Sequence, residues 1–144
     1  MFNPSRNDAR TFFFETWVKY QRGEPLSGLE QTALNVLLLH PEYHPLLENR
    51  ERNLDRDFAP EGAQLNPFLH LSLHLAIEEQ LSIDQPPGIR SRYDALAKKA
   101  GSEHDAKHDV LECLGETIWQ AQRTGAPADE TAYLKCLDRK AGTT

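Results

Sequence analysis

Residues 66–82 read NPFLHLSLHLAIEEQLS, and this stretch decides the fold. Asn66 is a good helix N-cap, and Pro67 suits the first helical position, where no backbone N–H is required. No glycine or further proline interrupts the run until DQPPG at 84–88 breaks it, so the expected helix reaches about Ser82. Helical angles put His70, His74 and Glu78 in one narrow sector with Ile77 and Leu81, while Ser72, Ala76 and Glu79 lie opposite. A polar stripe therefore sits inside an apolar face. Buried histidines and a buried carboxylate are costly unless they are paired or bound to metal.

The rest of the chain reads the same way. A first helix is expected over residues 5–22, carrying Phe12, Phe13, Phe14, Trp17 and Val18, with Gly23 as its stop. Ser27 and Glu30 fit a capping box that opens a second helix through Leu29, Ala33, Val36 and Leu37. That helix fails near His40, because Pro41 and Pro45 push the residues before them out of the helical region. Residues 50–65 are polar and read as a loop with at most one helical turn. A shorter segment follows near 89–99. Ser102 then caps a helix of about twenty residues, GAP at 125–127 ends it, and 128–139 forms one more short helix. No run shows sustained strand alternation between hairpin turns. The expectation is an all-α fold: one helical bundle of four main helices plus short connecting helices, a single metal-binding domain over residues 1–144.

Composition narrows the function classes. The 144 residues are 39% apolar and 26% charged, with a net charge of −6, enough apolar content for a core and the wrong sign for neutralising phosphates. Arg90, Arg92, Lys98 and Lys99 read as a solvated helix face, so no nucleic-acid partner is expected. Cys113 and Cys136 cannot form a metal knuckle alone and are expected to be reduced thiols of a cytoplasmic protein. The first ten residues, MFNPSRNDAR, show no apolar signal core, and no run approaches the ~18 apolar residues of a membrane span.

The main signal is the placement of six histidines. All fall into three triplets of one pattern, His-x3-His-x3-Glu: His40, His44, Glu48; His70, His74, Glu78; and His104, His108, Glu112. Glutamate is 13 of the 144 residues, so a glutamate at any chosen offset is roughly a one-in-eleven event, and three repeats argue against chance. Residues four apart on a helix share a face, so two imidazoles can lean towards one ion at ~2.0–2.1 Å, with the carboxylate one turn further on. A triplet spans ~12 Å, too far for nine groups to meet on one ion, so two or three metals are expected. In the third triplet the stripe continues into Gly115 and Trp119, and the lost side-chain bulk at Gly115 would admit a close helix or a metal cluster. In the first, the prolines make His44 an N-cap and put His40 at a helix end. Glu15 is an additional acid in the first helix. The rival to ligation is a hydrogen-bond network in the core.

Imidazole with carboxylate suits iron, with zinc or manganese as the other candidates, and disfavours iron–sulfur chemistry. This ligand vocabulary resembles that of hemerythrin-like bundles, which hold a di-iron centre with histidines and bridging carboxylates. Their His-x4-Asp element is absent here, as are the Glu-x-x-His pairs of ferritin-like bundles. Over nearly its full length the chain also resembles a bacterial family known only as a domain of unknown function. That likeness is carried by HPEYHPLLEN, NPFLHLSLHLAIEEQLSIDQPPGIR and the HxxxHxxLECLGExIW segment. It implies a family without supplying an activity. The expected function is therefore a multinuclear His/Glu metal centre, iron first, that binds or activates dioxygen. The alternatives are a structural zinc site in a protein that binds another protein, and a metal sensor or store.

Overall fold

The computed structural model describes residues 6–54 and 67–142, and these are all-α. The order is α1 (Arg6–Arg22), α2 (Gly28–Leu38), a 3-10 turn (Pro41–Tyr43), α3 (His44–Leu47), α4 (Arg50–Asn53), α5 (Pro67–Ile83), α6 (Ile89–Ala100), α7 (Glu103–Thr124) and α8 (Glu130–Ala141), with no strand among the described residues. The expected helix start at Ser5 and the N-cap at Asn66 lie outside the described residues. Among the described residues six helices run to 11 residues or more where four main ones were expected, because α6 and α8 each extend to 12. Asp129 caps α8 through Ala132 N–H, and the left-handed Gly101 and Gly142 close α6 and α8. The fold divides into two compact units, Met1–Leu75 and Ala76–Thr144.

The first unit is built on aromatic residues. Phe13, Phe14 and Trp17 of α1 pack with Ala33, Leu34, Val36 and Leu37 of α2, Leu47 of α3, and Phe68, Leu71 and Leu75 of α5. The capping box of α2 forms as expected: Glu30 N–H donates to Ser27 Oγ and Ser27 N–H to Glu30 Oε1. Lys19 of α1 pairs with the same glutamate at 2.8 Å, and that contact, with the cap, holds its carboxyl below the ordinary value. Arg10 is buried. Its guanidinium donates to the carbonyls of Asn53 and Leu54, at 3.2 and 3.0 Å, and lies over the Phe68 ring. It thereby satisfies the last carbonyls of α4, which the helix itself leaves open. Phe14 is 1% exposed against Phe68, so Phe14→Ala should cost about 3–5 kcal/mol of unfolding free energy, measured by urea titration.

In the second unit α6, α7 and α8 pack on one another. Its buried side chains include Ile89, Tyr93 and Leu96, then Ala106, Val110 and Leu114, then Tyr133 and Leu137. Tyr133 donates a buried hydrogen bond to Gln80 Oε1 at 2.8 Å. Burial pushes its hydroxyl well above the ordinary range. Arg92 pairs with Asp138 at 3.1 Å, tying α6 to α8.

One expectation is corrected here. Cys113 and Cys136 are joined in a disulfide, not present as separate thiols. The short turn after Gly125 folds α8 back along α7, and this brings positions 23 apart in sequence to a Cα separation of 5.8 Å, inside the range that a disulfide spans.

Candidate metal centre

The site grows from two local rules. On α5, the four-residue spacing stacks His70 and His74 with ring centroids 4.8 Å apart and Nε2 atoms 3.1 Å apart. At the end of α2, Pro41 keeps His40 out of the helical region (φ −126°, ψ 65°), so the chain turns and the His40 ring swings against α5. Its Nε2 then lies 3.1 Å from His74 Nε2. The ligand nitrogens of His40, His70 and His74 all lie within 4.8 Å of one another. His40 and His74 are buried, 3% and 2% exposed, and His70 is half-buried.

The protonation pattern follows from the neighbours. Glu42, in the 3-10 turn, takes a hydrogen bond from His40 Nδ1 at 2.7 Å. A carboxylate can only accept, so His40 carries a proton on Nδ1, and in the neutral imidazole its Nε2 then presents a lone pair to the cluster. Partial burial pushes the Glu42 carboxyl up, but a backbone hydrogen bond and the His40 contact outweigh it and hold the carboxyl below its ordinary value. Tyr43 stacks on His40 at 5.6 Å and meets the His70 ring edge-on at 5.8 Å, and burial raises its hydroxyl pKa. Each Nε2–Nε2 contact needs a proton or a cation between two lone pairs. One metal ion would serve all three nitrogens. This cluster could hold a metal ion.

Sequence spacing did not single out Glu42, which lies two residues past His40 and outside the triplet pattern. Its arrangement is that of the outer partner that orients a metal-binding imidazole. Glu42→Gln should therefore weaken metal binding about 10- to 100-fold while the fold survives, as read by competition with a chromogenic chelator.

Several of the other expected ligands hold partners of their own. His44 donates from Nε2 to the Leu37 carbonyl at 2.8 Å, and its ring lies 4.5 Å from that of Trp17, which makes it a brace between α1 and the end of α2. Glu48 is exposed and accepts from Gln21 at 3.3 Å. Glu78 forms an ion pair with Lys107 at 2.6 Å. Glu112 is mostly exposed and pairs with Lys140 at 2.6 Å. His104 and His108 meet edge-on at 4.3 Å on α7, half-buried in the second unit. Glu15 is exposed on α1. Among the described residues no helix is long and apolar enough to cross a membrane.

Residues 5–139 match a family described as Domain of unknown function (DUF1841). Among curated proteins and solved structures, none matches the chain. The likeness to hemerythrin-like bundles therefore rests on ligand vocabulary alone.

Proposed function

Since the chain belongs to the DUF1841 family, which brings no activity with it, we propose from its own residues that it is a transition-metal protein centred on His40, His70 and His74. The observation that carries this reading is the convergence of three imidazoles with Glu42 fixing one of them. Two nitrogens 3.1 Å apart that both bind at ~2.1 Å subtend about 95° at the ion, a normal angle between neighbouring ligands. Three imidazoles as the whole ligand set would leave positions open, and an open position separates a reactive metal from a structural one. Iron with dioxygen as the small ligand fits this reading, since imidazole suits iron(II) and Tyr43 lies beside the rings as a hydroxyl-bearing neighbour.

A second or third ion would draw on His104 and His108 and on the carboxylates. Glu48, Glu78 and Glu112 would each have to exchange Gln21, Lys107 or Lys140 for metal. Those existing partners favour a rival reading, in which imidazoles alone hold one zinc ion that pins α2 to the start of α5. Elemental analysis of untagged protein purified without added metal separates the two. Two or more equivalents of iron per chain, lost in both His74→Ala and His108→Ala, support a multinuclear centre. Iron lost only in His74→Ala supports a single ion at the three-histidine cluster. One equivalent of zinc, unreactive towards dioxygen, supports the structural role. Folded protein that takes up no metal on reconstitution overturns the proposal.

A further inference from the structure

The α7–α8 hairpin holds a cleft of about 510 Å³ whose lining includes both Cys113 and Cys136. That volume falls within the range of sites that take small molecules. Groups suited to a zwitterion share that lining: Arg139, with Glu116 and Asp129 exposed on the wall. Cys136 is 9% exposed and Cys113 is 0% exposed, so an entering nucleophile meets Cys136 first.

From this geometry we propose that Cys113–Cys136 is a thiol–disulfide exchange site that reacts with a low-molecular-weight thiol bearing carboxylate and ammonium groups. Arg139 positions the carboxylate, and Glu116 and Asp129 receive the ammonium. In the first step the thiolate of the entering molecule attacks Cys136 Sγ. A mixed disulfide forms there, the Cys113–Cys136 bond breaks, and its electron pair leaves on Cys113 Sγ, which takes a proton. A second thiolate then attacks the sulfur of the bound molecule, releasing the small-molecule disulfide and the Cys136 thiolate, which is also protonated. The protein disulfide gains two electrons and two protons, and two small thiols lose them.

The hairpin is built to survive this cycle. Tyr133 and Leu137 remain buried, Tyr133 stays bonded to Gln80, and Arg92–Asp138 and the Lys99 bond to the Lys140 carbonyl still hold α8 in place.

The test uses the full-length oxidised chain in native buffer with glutathione as probe, quenched by alkylation and read by intact mass. Complete reduction without denaturant is expected. Cys113→Ser should gain one glutathione adduct at Cys136 after exposure to oxidised glutathione, and Cys136→Ser should gain none at the buried Cys113. Arg139→Ala should slow reduction by glutathione about threefold, the scale of an exposed ion pair, and leave reduction by uncharged 2-mercaptoethanol unchanged. Thiols that appear only after denaturation would overturn the proposal. So would an adduct on Cys113 rather than Cys136, or equal slowing of both reductants in Arg139→Ala.

Discussion

Replacing His74 with alanine is expected to lower the metal affinity of the three-histidine cluster by roughly a hundredfold. Structural zinc sites bind with ~10–16 kcal/mol over about four ligands, so each ligand contributes about 3 kcal/mol, and 1.4 kcal/mol is tenfold in affinity. His74 is the member that touches both others, its Nε2 lying 3.1 Å from those of His40 and His70. Its removal takes away both Nε2–Nε2 contacts at once. The side chain is 2% exposed, so some stability is lost as well, and the comparison needs a control of similar structural cost. His44→Ala supplies it. That ring braces Leu37 and Trp17, so the variant should lose stability yet keep its metal. Calorimetric titration of both variants with the same ion checks the pair. Equal losses of affinity would mean that His44 joins the centre or that the metal binds elsewhere.

Acid should release the metal steeply. Each imidazole binds metal only when neutral, and the free groups ordinarily titrate near pH ~6.5, so every proton taken up competes with the ion. With three such ligands the apparent affinity should fall about five-hundredfold between pH 7 and pH 5.5, a slope approaching three decades per pH unit. The sign is fixed: metal is held above the imidazole range and lost as pH drops through it. Glu42 does not soften the response, because its carboxyl lies below the ordinary value and remains ionised over that interval. Affinities measured across that range in non-coordinating buffers provide the check. A flat profile would exclude histidine ligation, and a slope near one would mean that a single imidazole carries the metal.

Much of this was legible because helix chemistry is local. The Ser27/Glu30 box, the breaks at residues 84–88 and the glycines after α6 and α7 all follow from residues within four positions of one another. The His70–His74 pair is likewise a matter of one helical turn. What spacing could not supply was the turn at Pro41–Tyr43, which sends His40 to α5 and leaves His44 facing a carbonyl. The two residues share a motif but not a role. The glutamates of the triplets show the same limit. Their spacing is right for ligation, yet Gln21, Lys107 and Lys140 approach from other helices, and no periodicity reveals a neighbour 27, 29 or 28 residues away. Glu42 escaped for a different reason: it fills an unspecified position between His40 and His44, at an offset with no helical meaning. The cysteine pair depended on the register of α7 against α8, a tertiary property.

The hairpin clip has a practical corollary. Residues 125–129, between α7 and α8, are exposed and rich in small residues, the kind of segment that proteases cut first. Cys113 lies before that turn and Cys136 after it. A chain nicked there would keep its two pieces covalently joined, running as one species on a non-reducing gel and as two once a reductant is added.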